Sequence, residues 1–253
     1  MNYNWQWSVY LQPAADGSGT WLAYLFTGLG WTLATALVAW TIALTVGAAV
    51  GTLRTTSLKW VVRLGNAYVE IFRNIPLLVQ MFLWYFVLPE LLPKSLGDAM
   101  KQLAPPWGSY VPAVLCLGIY TSVRIAEQVR AGIQSLPRGQ LMAGTALGLT
   151  LPQTYRYVLL PMAFRIIMPP LGSEFLNIIK NSSVALTIGL LELTGRARSM
   201  QEFTFKVFEA FAAATVIYLL TNLMVVLLMR ALERRVRVPG YIGSAGQAPQ
   251  AGH

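Results

Sequence analysis

The chain has 253 residues, of which 55% are hydrophobic and only 11% are charged, and its formal net charge at pH 7 is +9. Soluble domains carry about 25% charged residues, so this composition excludes an ordinary soluble protein and predicts an integral membrane protein. The single Cys116 excludes an internal disulfide framework and a cysteine-based metal cluster, and we expect neither a metal nor a cofactor.

Hydrophobic runs divide the chain into five predicted transmembrane helices, each long enough for the roughly 20 residues that cross the hydrocarbon. No charged residue lies between Asp16 and Arg54, which predicts the first span, and Pro76 is a candidate kink in the second. We predict an all-α protein with a segment 1–20 outside the membrane, spans at 21–53, 62–89, 112–136, 158–186 and 207–229, a polar loop at 137–157, and a disordered tail at 238–253 that ends in the only histidine, His253.

The distribution of Lys and Arg predicts the orientation, because cytoplasmic loops are enriched in both residues. The side richer in Lys and Arg is predicted to be cytoplasmic, which places the N-terminus outside, the C-terminus inside and the loop at 137–157 in the cytoplasm. Anionic lipid rather than nucleic acid accounts for the positive charge. The cytoplasmic side then carries Arg54, Lys59, Arg63, Arg130, Arg138, Arg156, Arg230, Arg234, Arg235 and Arg237, against Lys94, Lys101, Arg196, Arg198 and Lys206 on the other side.

The polar loop contains a spaced motif. Residues 142–144 read MAG, Gly148 follows, and residues 158–161 read VLLP. This segment resembles the cytoplasmic loop of the permease subunits of ABC importers, whose pattern is Glu-Ala-Ala, three residues, Gly, nine residues, then Ile-x-Leu-Pro. Met142 and Gly144 depart from the Glu and the second Ala of that pattern.

Two further segments resemble the polar amino acid branch of the same family. Residues 73–80, RNIPLLVQ, are similar to its Arg-x-x-Pro-Leu-Leu-x-Gln signature, and residues 126–133, AEQVRAGI, are similar to its Ala-Glu-x-x-Arg-Gly-Gly-Ile segment. The resemblance extends through 177–194 and so covers most of the chain.

The resemblance implies the type I ABC importer permease fold, with a short cytoplasmic coupling helix. It places the chain in a bacterial inner membrane, with the N-terminal segment in the periplasm and the C-terminus in the cytoplasm. It also implies a homodimer or a heterodimer with a sister permease, two ATP-binding cassette subunits that hydrolyse ATP in place of this chain, and a periplasmic solute-binding protein. The residues that the resemblance assigns to coupling with the ATPase are Gln140, Ala143, Gly144, Ala146, Leu147, Gly148 and Leu149.

Ionisable residues within spans are costly and so indicate functional sites. Tyr120, Arg124 and Glu127 share one face of span three. Relatives that resemble arginine and lysine importers often carry Asp at the position of Asn181, whereas Arg124 adds a cation where the branch usually has a small or aromatic residue. Both differences favour an acidic cargo, glutamate or aspartate. The predicted substrate path is Arg73, Arg124, Glu127, Asn177, Lys180, Asn181, Ser182 and Ser183.

Several alternatives stay open from the residues alone. The charges are equally explained as structural pairs, Arg124 with Glu127 and Lys180 with Glu174, and Arg73 suits a gate as well as an anchor for span two. A neutral cargo such as glutamine is an alternative to glutamate. A hydrolase of another class, using Ser182 or Ser183 with Lys180, lacks an accompanying motif, and a channel lacks a filter or a ring of charges.

Overall fold

The computed structural model describes residues 3–236, apart from the side chains of Arg138 and Val236. Within these residues, four helices are long and apolar enough to cross a membrane, and there are five if the bent pair Lys59–Asn74 and Leu77–Leu91 is counted as one span. The predicted all-α fold is confirmed. The helices are α1 Trp21–Leu53, α2 Lys59–Asn74, α3 Leu77–Phe82, α4 Leu88–Leu91, α5 Lys94–Lys101, α6 Trp107–Gln134, α7 Arg138–Ala146, α8 Leu151–Thr154, α9 Leu160–Asn181, α10 Leu193–Thr204 and α11 Val207–Val236, with π-helical segments at Leu83–Val87 and Tyr155–Leu159 and 3-10 helices at Trp7–Leu11 and Ser182–Ile188.

The observed bounds differ from the predicted spans chiefly beside the polar loop. α1 matches 21–53, but α6 begins at Trp107, ahead of 112, and α11 runs past 229. A continuous helical path starts at Leu151, inside the segment 137–157 that was predicted as loop. Where the hydrocarbon begins and ends along these helices stays a prediction. Arg237 and the predicted tail 238–253 lie outside the described residues.

The second predicted span, 62–89, is not one straight helix. Lys59–Asn74 and Leu77–Leu91 meet at an angle of 103°, because Pro76 has no N–H to continue the helical hydrogen bonds. The side-chain amide of Gln80 compensates for that loss: its Nε2 donates to the carbonyl oxygens of Phe72 at 2.7 Å and Ile75 at 3.0 Å. Proline and glutamine of the RNIPLLVQ segment therefore act together in one bend.

Close packing of α1 against α6 forms the centre of the bundle. Gly47 and Gly51 of α1 lie directly against α6, and a Cβ atom at Gly51 would approach the carbonyl oxygen of Ala126 to 2.6 Å. From the other side, a Cβ at Gly118 would meet Ile42 at 2.7 Å. Small residues of this kind let helix backbones approach within a membrane protein. Most of the buried hydrophobic residues join one core around this contact.

A second, smaller core gathers the N-terminal segment, the start of α1, α10 and the start of α11. Glu209 of α11 holds this end together, since its carboxylate accepts hydrogen bonds from the Tyr3 hydroxyl and from the Gln6 backbone N–H, the latter at 2.8 Å. The hydrogen bond to Glu209 raises the pKa of Tyr3 to about 12. α1 therefore runs from this end of the molecule, at Trp21, to the opposite end, at Leu53.

We expect Gly51→Ala to destabilise the protein by about 1–3 kcal/mol, because the added methyl group meets the Ala126 carbonyl oxygen of a packed helix rather than a mobile side chain. Gly30→Ala is the matched control: Gly30 lies in the same helix, and a Cβ there meets nothing within 4 Å. Thermal unfolding in detergent, followed by tryptophan fluorescence, should show a lower midpoint for the first variant only. Equal midpoints would contradict the close α1–α6 contact.

Candidate functional site

A polar cluster lies between α6 and α9, centred on Glu174. Its carboxylate is 3.6 Å from Arg124 Nη1, and the amides of Gln128 and Asn177 donate to it at 3.4 Å and 3.5 Å. Arg124 also donates from Nη2 to the Tyr120 hydroxyl at 3.3 Å and lies over the Tyr120 ring. Because Arg124 is partly exposed, this cluster presents a cation at the surface of α6, backed by a buried carboxylate.

A second cluster ties α1, α2 and α6 together around Arg54. Its guanidinium is almost fully buried and donates to Asn66 Oδ1 at 2.8 Å and to Glu127 Oε1 at 3.0 Å. The side chain is 4% exposed and that of Glu127 is 39% exposed. We call these three residues the Arg54 clamp. Glu127, predicted for the substrate path, therefore pairs with Arg54 at the end of α1, and no hydrogen bond or ion pair among the described residues joins it to Arg124.

The ion pairs that the sequence suggested are both wrong. Arg124 pairs with Glu174 and not with Glu127, while Lys180 belongs to none of the ion pairs among the described residues. The cause is geometric: residues on one helical stripe share a face, but a rotation of about 60° between positions 124 and 127 directs their side chains to different neighbours.

The other residues of the predicted path lie further along the same helices. Asn177 joins the Glu174 cluster, whereas Lys180 is exposed beyond it, and Asn181 and Ser183 are half-buried at the point where α9 becomes a 3-10 helix. Arg73 is exposed in the last turn of α2. The structure thus brings Arg124 and Asn177 together through Glu174, and no hydrogen bond or ion pair among the described residues joins Arg73 to them.

The serines after α9 are engaged with the backbone. The hydroxyl of Ser182 donates to the Ile179 carbonyl oxygen, and that of Ser183 donates to the Lys180 carbonyl oxygen, both at 2.8 Å. These bonds join each hydroxyl to the preceding turn and pair neither of them with the Lys180 amine. The geometry gives the hydrolase alternative no support.

The polar loop at 137–157, called the coupling segment from here on, contains the helix α7, whose C-terminus is capped. α7 closes with a Schellman motif, in which Gly148 N donates to the Thr145 carbonyl oxygen and Leu149 N to that of Gly144, both at 3.0 Å. Gly148 adopts a φ of +80°, which L side chains rarely adopt, and a Cβ there would meet nothing within 4 Å. Glycine is therefore needed for its backbone conformation rather than for close packing.

The residues predicted to couple to the ATPase differ in their exposure to solvent. Gly144 is buried, and a Cβ there would lie 2.7 Å from Thr154 Cγ2, so glycine allows α7 to pack onto α8. Leu147 is 81% exposed and Met142 is 68% exposed. Ala143, Ala146 and Gly148 are also exposed, while Gln140 and Leu149 are half-buried. α7 therefore exposes, on the side away from the bundle, a surface made of apolar side chains and small residues.

The coupling segment is also joined to the Arg54 end of α1. The Tyr155 hydroxyl lies 2.9 Å from the Thr55 carbonyl oxygen and 3.1 Å from its hydroxyl. Thr55 directly follows Arg54, so one short stretch of chain contacts the coupling segment, α2 and α6.

Sequence patterns missed four residues of these clusters: Glu174 as the partner of Arg124, Gln128, Arg54 and Asn66. The signal for the first was present, since Glu174 and Asn177 belong to one polar stripe of span four. Arg54 lies after the hydrophobic run of α1 and was counted only as a charge of a cytoplasmic loop.

We expect Glu127→Gln to lower the free energy of unfolding by about 1–3 kcal/mol, because the buried Arg54 loses its counter-charge. Glu202→Gln is the control, since the exposed pair of Glu202 with Arg198 contributes under about 1 kcal/mol. Thermal unfolding in detergent measures both. A change in cargo affinity without loss of stability would return Glu127 to the substrate path.

Comparison with known proteins identifies the family. Residues 43–238 match the model for binding-protein-dependent transport system inner membrane components. The chain is 47% identical over 244 residues to the glutamate/aspartate import permease protein GltJ of Escherichia coli (strain K12), covering 96% of this chain and 99% of that protein. It is 36% identical over 205 residues to the probable glutamine ABC transporter permease protein GlnM of Bacillus subtilis (strain 168), covering 81% and 89%.

Solved structures show the same architecture. A crystal structure of an amino acid ABC transporter with histidines superposes with a TM-score of 0.72 at 32% identity, covering 85% of this chain and 95% of that chain. An inward-facing MetNI methionine ABC transporter shares the fold alone, with a TM-score of 0.71 at 20% identity over 86% of this chain and 98% of that chain. The expected type I importer fold is confirmed, and the chain belongs to the family of binding-protein-dependent transport system inner membrane components.

Proposed function

We propose that this chain is the membrane-spanning subunit of an ATP-driven importer that moves an acidic amino acid, glutamate or aspartate, from the periplasm to the cytoplasm by alternating access. ATP hydrolysis belongs to separate subunits, so this chain is not itself an enzyme. In such a device, the binding and hydrolysis of ATP shift the bundle between states open to opposite sides.

The partly exposed guanidinium of Arg124 is the observation that carries the cargo assignment. Its side chain is 46% exposed, and it lies on a helix of the central α1–α6 pair. A guanidinium binds a carboxylate through charge-assisted hydrogen bonds, which a neutral amide cannot match. Asn177 beside it, and Asn181, Ser182 and Ser183 on the following turns, are proposed hydrogen-bond partners of the cargo. Lys180 and Arg73 complete the proposed path.

The relatives support the same cargo. A protein named for glutamate and aspartate import shares 47% identity with almost the whole chain, whereas one named for glutamine shares 36% over a shorter stretch. Glutamine stays the second candidate cargo, and the Arg124 variant described below separates the two.

The exposed surface of α7 is the proposed docking site for two ATP-binding cassette subunits, one for each permease subunit of a dimer. Leu147, Ala143 and Ala146 offer the apolar, closely approachable face that a helix needs to lie in a groove. The Tyr155–Thr55 contact then transmits movement of α7 to the end of α1. A periplasmic solute-binding protein and a second permease subunit, identical or related, are the remaining proposed partners, with lipid around the spans.

The proposed orientation places α7 and the Arg54 end of α1 in the cytoplasm, with α10 and the N-terminal segment in the periplasm. The N-terminal segment and α10 pack at the start of α1, whereas the coupling segment contacts its other end, so the two regions lie on opposite sides of the bundle. The excess of Lys and Arg on the α7 side supports a cytoplasmic position for α7.

For the assembled transporter in proteoliposomes, we expect Arg124→Ala to raise the KM for glutamate uptake about ten- to hundredfold, since a charge-assisted hydrogen bond contributes roughly 1.5–3 kcal/mol. Arg124→Lys should recover part of this loss, because it keeps the charge but not the planar fork. Arg198→Gln, which removes a cation from an exposed surface pair, is the control. An unchanged KM in Arg124→Ala would remove Arg124 from the site and favour a neutral cargo.

The docking role of α7 is tested at Gly148 with two side chains of similar size. Gly148→Val should largely abolish cargo-stimulated ATPase activity, because a β-branched residue resists a φ of +80° and so breaks the end of α7. Gly148→Asn should retain most of the activity, since Asn tolerates the left-handed conformation. Normal stimulated turnover in the valine variant would contradict the coupling role of this loop.

A further inference from the structure

Glu174 is a buried carboxylate held by unusually loose contacts. Its side chain is 12% exposed, and its contacts with Arg124, Gln128 and Asn177 measure 3.6, 3.4 and 3.5 Å. Charge-assisted contacts normally measure about 2.7–2.9 Å. The pair of Glu127 with Arg54, at 3.0 Å, shows that the same bundle can hold an ion pair more tightly.

Arg124 retains unused hydrogen-bonding capacity in this arrangement. A guanidinium has five N–H donors in a fixed fork, whereas Arg124 has, among the described residues, one hydrogen bond to the Tyr120 hydroxyl and one longer ionic contact to Glu174. The side chain is 46% exposed, so a carboxylate arriving from outside the helix pair has access to the remaining donors. That carboxylate would have the same chemistry as the Glu174 group that already faces Arg124.

We propose that Glu174 occupies the place of the cargo carboxylate when the site is empty. It then neutralises Arg124, and the carboxylate of an acidic amino acid replaces it as the partner of Arg124 when the cargo binds. The inference rests on the proposed function, because it requires Arg124 to bind the cargo. Once displaced, the Glu174 carboxylate keeps the amide donors of Gln128 and Asn177. It is therefore not left as an unpartnered buried charge, which would be prohibitive.

This exchange determines the apparent affinity. The cargo binds only to permease molecules in which Arg124 has separated from Glu174. The measured dissociation constant is therefore the intrinsic constant divided by the fraction of molecules in that state. Glu174 thereby weakens binding and also helps release, because it can recapture Arg124 as the cargo leaves. Glu174 is thus a positioning and specificity-determining residue that acts through Arg124.

The test is Glu174→Gln in the assembled transporter in proteoliposomes, with the KM and maximal rate of glutamate uptake measured separately. The neutral amide keeps the size of the side chain and can still accept from Gln128 and Asn177, but it no longer competes for Arg124. We expect the KM to fall about two- to fivefold, the fold-change that corresponds to a partly exposed ion pair. In an Arg124→Ala background, the same substitution should leave the KM unchanged.

Glu174→Asp is the second variant, in case the glutamine variant does not fold. A shorter carboxylate holds Arg124 less well, so the KM should fall in the same direction by a smaller factor. Glu202→Gln, which removes a carboxylate from an exposed surface pair, should have no effect.

The opposite results would overturn the inference in identifiable ways. A higher KM in Glu174→Gln would mean that the Glu174 carboxylate itself binds the ammonium group of the cargo. An unchanged KM would make the pair purely structural. Either result leaves the proposed function standing if Arg124→Ala still raises the KM, whereas an unaffected KM in Arg124→Ala removes the proposed cargo site whatever Glu174 does.

Discussion

The close approach of α1 and α6 is the constraint on which the other contacts depend. Gly47 and Gly51 let the two backbones meet where any side chain would collide with the Ser122 and Ala126 carbonyl oxygens. Because α1 is held at this distance, its final turn brings Arg54 to Glu127 of α6, and the next residue, Thr55, reaches Tyr155 of the coupling segment. The bundle and the proposed docking helix are therefore positioned from one helix pair.

Two ion pairs between helices are built in opposite ways. In the Arg54 clamp the cation is buried and the carboxylate, Glu127, is partly exposed, whereas in the other pair the carboxylate, Glu174, is buried and the cation, Arg124, is partly exposed. A buried cation with a close partner is suited to hold helices together, because breaking the pair leaves a buried charge without a partner. A partly exposed cation with a distant partner is suited to exchange one carboxylate for another.

Much of the fold, but less of the site, was predictable from the sequence. The apolar runs indicated the long helices because hydrocarbon leaves the backbone few alternatives, and the motif around Gly148 indicated a short helix in the polar loop, which is α7. Partners of charged residues were not predictable. Periodicity shows that Arg124 and Glu127 share a face, but which helix packs against each edge of that face depends on tertiary packing. The kink predicted at Pro76 is confirmed as a bend of 103°, whereas the start of α8 at Leu151, inside the polar loop, was not predicted.

The hydrogen bonds of Gln80 have a consequence for where the broken helix can lie. Carbonyl groups freed by a proline ordinarily need water, which would confine such a break to the membrane surface or to a wet cavity. Here the amide of Gln80 supplies donors to Phe72 and Ile75 from within the same chain. The turn therefore needs no water for these two carbonyl groups, which removes one of the constraints that would hold it at the membrane surface. The helix that leads into the turn, α2, packs against α6 through Val69, Val123 and Ala126.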